Sequence, residues 1–253
     1  MEKYLDFAYM YDRLTYDVDY KKTADYIEKI FEKYCEKKPS LIADLACGTG
    51  SMCVELSNRG YDMIGIDFSE NMLDVASKKK AKNDILYLNQ DITEFELYGT
   101  VDVILCLLDS VNHITDKDDL KKMFLLASNY LNPDGIIIFD INTKHKFENV
   151  LADNIFTYDS DDIFYVWQND YSADEKLCDF YLTFFAEQNG LYKRVDECHT
   201  ERCYSEDEIE EIVSSSKFEV LDKYDNISFD KPKHNSERIF YVARSTDKKE
   251  NIK

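Results

Sequence analysis

The sequence predicts an α/β protein built on a doubly wound, mostly parallel sheet. Over roughly the first 140 residues, short continuously apolar runs alternate with amphipathic helical patterns, as strands buried on both faces require. The first of these runs ends in an acidic residue and a glycine turn that opens a helix. After residue 150 the pattern switches to aromatic and β-branched stretches, before helix and strand resume near residue 205.

Each element follows from its residues. Tyr20–Lys37 carries Ala24, Ile27, Ile30, Phe31 and Tyr34 at helical spacing, and Pro39 stops it. Leu41–Leu45 is a strand, and Ser51–Arg59 is helical. Met63–Asp67 is the second strand, followed by Ser69 as N-cap of a helix over Glu70–Lys80. Ile85–Asn89 and Val101–Leu108 are the third and fourth strands. Asp116–Leu131 is a helix with Leu120, Met123, Phe124 and Ala127 on one face. Asn132–Gly135 is a turn, and Ile136–Ile141 the fifth strand. Ile155–Tyr158, Ile163–Asn169, Leu177–Glu187 and Leu191–His199 form an antiparallel meander, with Asn189-Gly190 as a two-residue hairpin. Ser205-Glu206-Asp207-Glu208 is a capping box for a helix to about Ser215. Phe218–Tyr224 and Arg238–Arg244 close the sheet, and the charged tail Ser245–Lys253 frays.

A chain of 253 residues holds one large domain with an insertion and needs no disulfide staples. The formal net charge of −20 repels phosphate backbones, which disfavours a nucleic-acid face and an anionic membrane surface. No apolar run approaches the ~20 residues of a membrane span. The acidic, aromatic start lacks the basic, apolar and small-residue regions of a signal peptide. Seven cysteines are an odd number without CxxC spacing, and they read as reduced thiols in or near the core of a cytoplasmic protein.

The informative segment is Asp44-Leu45-Ala46-Cys47-Gly48-Thr49-Gly50. Glycines let a backbone approach a ligand where a Cβ would clash, and the helix start beyond favours an anionic group. Asp67 ends the second strand, where an acid can accept both ribose hydroxyls of an adenosine. The dinucleotide fingerprint GxGxxG/A fits poorly, because Cys53 stands at its third position. The segment instead resembles motif one of the class I S-adenosylmethionine-dependent methyltransferases, with Ala46 in place of the first glycine. Gly65-Ile66-Asp67-Phe68 through Met72, Asn89-Gln90-Asp91-Ile92, Asp102 through Ser110, and Leu131 through Gly135 resemble the family's later motifs in order.

The resemblance implies S-adenosylmethionine as cofactor and a seven-stranded sheet whose last strand, Arg238–Arg244, is antiparallel. It implies that Asp67 holds the ribose, Phe68 and Met72 flank the adenine, Asp91 meets the adenine amino group and Ile92 its ring. Ala46, Cys47, Gly48, Gly50 and Leu107 complete the cofactor set, Cys47 through its backbone. Asp44 either binds the cofactor's amino group or braces the glycine turn. The β insertion and aromatic N-terminus resemble small-molecule N-methyltransferases, in particular amino-sugar N,N-dimethyltransferases. Residues 1–150 with 204–253 would then bind cofactor, and 151–203 would form a flap over a small-molecule acceptor.

Tyr4, Tyr9, Tyr11, Tyr16 and Tyr20 crowd the N-terminus and suggest a lid whose ring faces favour a sulfonium, with Tyr11 and Tyr16 as contacts. Trp167, Tyr171 and His199 are the flap's substrate candidates; the alternative is that they pack the flap onto the domain. Methyl transfer needs alignment and exclusion of water, and a base only when the nucleophile arrives protonated. His113 is the candidate base, or else a helix-cap histidine, and Asp109 is its catalytic or pocket-lining neighbour. Asp109, Asp140 and Asn142 offer oxygen ligands, but Ile141 separates the last two where the family's magnesium motif has adjacent Asp-Asn, so no metal is expected. The rival readings are an RNA or protein methyltransferase using Lys78–Lys82, an NAD-dependent oxidoreductase, and a cofactor-binding module without turnover.

Overall fold

The computed structural model describes residues 8, 10–13, 15, 17–160, 163–188 and 190–247. Tyr4, Tyr9, Tyr16 and Asn189 lie outside the described residues. The main sheet has seven strands: β1 (Leu41–Leu45), β2 (Asp62–Asp67), β3 (Leu86–Asn89), β4 (Val101–Cys106), β5 (Leu131–Asn142), β10 (Phe218–Asp225) and β11 (Arg238–Ser245). Their order is β10-β11-β5-β4-β1-β2-β3, with β11 antiparallel to both its neighbours. The remaining strands, β6 (Ile155–Asp159), β7 (Ile163–Ser172), β8 (Leu177–Gln188) and β9 (Leu191–Arg202), form a separate antiparallel sheet.

Side chains alternate across each strand, so one apolar run feeds two cores. Ile104 and Cys106 join Leu45, Ile137, Phe139 and Tyr241 on one face. Val103 and Leu105 join Ile42, Ile136, Ile138 and Phe240 on the other. The first face is covered by α5 (Lys117–Tyr130) and α7 (Glu206–Ser215), the second by α1 (Tyr20–Tyr34) and α2 (Ser51–Asn58). Helix α3 (Glu70–Lys78) starts at Ser69, whose side chain accepts from Met72 N–H. The Ser205–Glu208 capping box forms as the sequence predicts.

Four local expectations need correction. Helix α1 stops at Tyr34, five positions before Pro39, where Cys35 turns to extended backbone. Asn132–Gly135 does not end the helix as a free turn. It bulges out of β5, with Asp134 at φ 62° and the register shifting between Val101 and Val103. Two short segments escape the sequence reading: α4 (Ser110–His113), and α6 (Lys144–Lys146) running into a π-helical turn over Phe147–Leu151. Cys198 is exposed rather than near the core.

Gly65 marks the tightest packing beside the glycine turn. A Cβ there would lie 2.7 Å from the Tyr87 ring and 2.9 Å from Cys47 Sγ. Gly65→Ala should cost about 1–3 kcal/mol of stability, since overpacking forces neighbours off their rotamers. Urea denaturation of the variant checks this, and an unchanged midpoint would contradict the packing described.

Candidate active site

The sheet order reverses between β1 and β4, and a crevice opens at the carboxyl ends of these strands, where open α/β sheets bind ligands. The cavity there has a volume of about 1140 Å³. It runs from the glycine turn to the inner face of the second sheet, with Ala46, Gly48 and Asp67 at one end and His113, His199 and Glu201 at the other.

The turn after β1 is built from left-handed backbone: Ala46 at φ 55°, Gly48 at 54° and Gly50 at 71°. A Cβ at Gly48 would meet no protein atom within 4 Å, so its position on the cavity wall leaves room for a ligand to approach the backbone. Gly50 is off that wall. It is the N-cap of α2, and a Cβ there would clash with the Tyr87 hydroxyl and lie 2.9 Å from Ala76 Cβ. Its glycine is needed for packing, a correction to its expected ligand contact.

Asp67 is buried and holds the turn from β2. One oxygen accepts from Gly48 N–H at 2.8 Å and the other from Ser69 N–H at 2.9 Å. Asp44 is 3% exposed and accepts from the Cys53 thiol at 3.3 Å. Burial, with Asp67 nearby, pushes its carboxyl up to about 7. Such a carboxyl on a cavity wall is short of a positive partner, and a ligand ammonium would supply one.

Cys47, Phe68, Met72, Asp91, Ile92 and Leu107 line the same end. Phe68 is 75% exposed, a bare aromatic face at the crevice. Asp91 accepts from both Thr93 N–H and Thr93 Oγ at 2.8 Å through one oxygen.

The described part of the N-terminus is latched to this turn. Asp12 accepts from Thr49 Oγ at 2.5 Å and pairs with Lys79 at 2.5 Å. Tyr11 lines the cavity and packs with Met10, Met72, Ile163 and Phe184, so it joins α3 to the second sheet. Within the basic stretch Lys78–Lys82, Lys78 pairs with Asp74 and Lys79 with Asp12, so both charges already have acidic partners.

At the far end, α4 is fixed from three directions. Leu108 and Asp109 both take left-handed backbone, φ 57° and 55°, and their N–H groups donate to Asp140 at 2.8 and 3.0 Å. Asn112 donates to the Arg202 carbonyl at 2.9 Å and accepts from Asn142 N–H at 2.9 Å. These bonds set His113 against β9. His113 Nε2 lies 3.7 Å from Glu201 Oε1, and its ring meets His199 edge-on at 6.1 Å. His113 is exposed to the cavity, yet desolvation outweighs the attraction of Asp109 and lowers its pKa, which favours the neutral imidazole.

Two expected positions move. Asp109 stands just behind the cavity wall: its carboxylate is bound by Arg238 Nη2 at 2.5 Å, and that guanidinium also bonds Asp140. Arg238 holds Asp109 well below the usual carboxylate range, so Asp109 is a poor proton carrier, and the Asp109–Asp140 pair is filled by a guanidinium. Tyr171 is also off the wall, stacked on Phe147 at 6.0 Å. It shares a face of β7 with Trp167, but lies two pleats further on, past the edge of the cavity. Trp167 and His199 do line it. Glu201 and Arg238 belong to no motif in the sequence, and Asp140 stands out there only as a metal-ligand candidate; strand alternation from His199 places Glu201 on the same face.

A doubly wound sheet with a buried acid ending β2 and a left-handed glycine turn is an arrangement suited to a nucleotide-type cofactor. The comparisons with known proteins narrow this. A family model described as "Methyltransferase domain" matches residues 42–135. YqeM of Bacillus subtilis (strain 168), provisionally named a methyltransferase, is 31% identical over 245 residues, 96% of this chain and 97% of that protein. The crystal structure of an S-adenosylmethionine-dependent methyltransferase from Clostridium acetobutylicum ATCC 824 superposes with a TM-score of 0.86 at 37% identity, covering 96% of this chain and 98% of that one. A dTDP-3-amino-3,6-dideoxy-alpha-D-glucopyranose N,N-dimethyltransferase from Streptomyces fradiae is 24% identical over 122 residues, 48% of this chain and 47% of that protein. The chain belongs to the S-adenosylmethionine-dependent methyltransferase family. Its cofactor is S-adenosylmethionine, and the open Gly48 backbone, buried Asp44 and Asp67 fit that group.

Proposed function

We propose that this protein transfers a methyl group from S-adenosylmethionine to a nitrogen or oxygen of a small-molecule acceptor lying under the β6–β9 sheet. The observation that carries the reading is the single cavity joining the glycine turn to His113 and the aromatic face of the flap. On this reading the boundaries near residues 150 and 204 divide a cofactor unit from an acceptor flap.

The bound cofactor supplies an electrophilic methyl group on a sulfonium. Asp67 would hold the ribose hydroxyls, Asp44 the ammonium of the methionine part, Asp91 and Ile92 the adenine, and Phe68 and Met72 its flanks. Tyr11 closes the cavity from the N-terminal side and helps exclude water. Trp167 and His199 touch the acceptor, and His113 Nε2 takes the proton that the acceptor loses. Asp109 acts through charge, favouring the imidazolium once His113 is protonated.

Titration calorimetry with S-adenosylhomocysteine, with NADH as control, tests the cofactor half. Release of S-adenosylhomocysteine on addition of amine or hydroxyl acceptors tests the other. Binding of NADH in place of S-adenosylhomocysteine would sink the reading. Affinity should also depend on pH in a fixed direction. With its pKa near 7, Asp44 carries a proton in the empty site at low pH, and that proton must leave before a ligand ammonium can pair with it. Affinity is therefore full above about pH 7.5 and falls about tenfold from pH 8 to pH 6. Asp44→Asn should flatten that dependence.

A further inference from the structure

The acceptor end of the cavity is short of positive charge. Arg238 spans Asp109 and Asp140. Lys146 Nζ donates to Asn142 Oδ1 at 2.8 Å. Glu201 on β9 is 4% exposed, accepts from Asn142 Nδ2 at 3.1 Å and lies beside His113. Three carboxyls thus share two cations, and burial with the nearby Arg238 pushes Lys146 toward its neutral form. Arg238 is committed to the two aspartates, and among the described residues Glu201 has no salt bridge to a lysine or arginine, Lys146 acting on it only at longer range. Burial and Asp109 push the Glu201 carboxyl well above its usual range.

Phe180 stands diagonally across the β8–β9 ladder from Glu201, and Trp167, Tyr165 and Phe184 line the same cavity further along the flap. Aromatic faces attract cations. Asp116 and Asp119 line the same cavity, and among the described residues its basic lining side chains, histidines aside, are Lys22 and Arg238. A phosphate entering here would meet carboxylates, and like-charge juxtaposition is a strong filter against a wrong ligand.

Resting on the methyltransferase reading above, we propose that the acceptor is an amine without phosphate groups, admitted as its ammonium, and that Glu201 is the countercharge that selects it. The arriving ammonium pairs with the Glu201 carboxylate, and any proton held there leaves to solvent. His113 and His199 then stand within reach of the same nitrogen as neutral imidazoles. The site therefore differs in charge from one built for a nucleotide-linked acceptor, whose diphosphate would need basic side chains.

Trp167 is the only tryptophan of the chain and lines the cavity, so its emission reports occupancy without turnover. The test titrates the full chain, saturated with S-adenosylhomocysteine at pH 7.5, with benzylamine, benzyl alcohol and benzyl phosphate. These share one ring and differ in charge. Benzylamine should bind about tenfold or more tighter than the alcohol, the range of a hydrogen bond to a charged group, and the phosphate should leave emission unchanged. Glu201→Gln should bring benzylamine down to the level of the alcohol; should that variant not fold, the wild-type series decides alone.

Benzyl phosphate binding as well as the amine overturns the proposal, as does an amine preference that survives in Glu201→Gln. Silence of all three probes in a protein that still binds S-adenosylhomocysteine overturns it while leaving the methyltransferase reading intact. Failure of S-adenosylhomocysteine itself to bind overturns both. One ligand atom each from Asp109, His113 and Glu201 also fall within 4.8 Å of one another. Tight Mn²⁺ binding there, read by electron paramagnetic resonance and lost in Glu201→Gln, would make the missing cation a metal and overturn the ammonium.

Discussion

Replacing Arg238 with methionine is expected to destabilise the protein by about 3–5 kcal/mol, because removing one partner of a buried ion pair strands the other. Arg238 stands opposite Asn142 in the β11–β5 ladder, and its guanidinium bonds Asp109 at the end of β4 and Asp140 within β5. Asp140 is fully buried and also caps the left-handed Leu108–Asp109 elbow. The direction with pH follows from Asp109. Arg238 lowers its pKa, so the pair stabilises the wild type above the unfolded carboxyl value near 4 and is lost as pH falls through the lower folded value. The deficit of the variant should therefore stay near its full value from pH 7 down to about pH 4 and shrink only below that, towards pH 3. Urea denaturation at pH 7 and pH 3 measures it. A loss below about 1 kcal/mol at pH 7 would mean that the two carboxylates find other partners.

Substitution of Asp67 by alanine should weaken S-adenosylhomocysteine binding by roughly 2–3 kcal/mol, about 30- to 150-fold. Two losses combine. The ribose hydroxyls lose a charged acceptor, and Gly48 and Ser69 lose the carboxylate that holds their N–H groups. Asp67→Asn keeps one carbonyl oxygen and should fall between the two. Unchanged calorimetric affinity in Asp67→Ala would remove Asp67 from the cofactor site and leave it a brace for the turn.

The parts legible in the sequence were those with local causes. Continuous apolar runs such as Val103–Leu107 can lie only where both faces are covered, and they do. Ser69, Asp116 and Ser205 announce helix starts because their side chains accept from N–H groups two or three residues on. The left-handed turn at Ala46–Gly50 is written into its glycines. The acceptor end was less legible because its bonds join distant segments. Arg238 lies 98 residues from Asp140 and 129 from Asp109, and Asn142 lies 59 from Glu201. Composition and periodicity carry no record of such pairings. Tyr171 shows the opposite failure: it shares a face of β7 with Trp167, but the cavity ends before reaching it.

The two sheets share no strand: β6–β9 form an open four-stranded ladder that meets the seven-stranded one through side-chain bonds such as Asn142–Glu201, not through a shared backbone ladder. The groups read as holding the methyl donor sit at the ends of β1–β3, while those read as choosing the acceptor sit on β7–β9. Selection can therefore rewrite one half without disturbing the other. A lineage built this way keeps an old donor site while its substrates diverge, so relatives that align over the first 140 residues carry little information about what each one methylates.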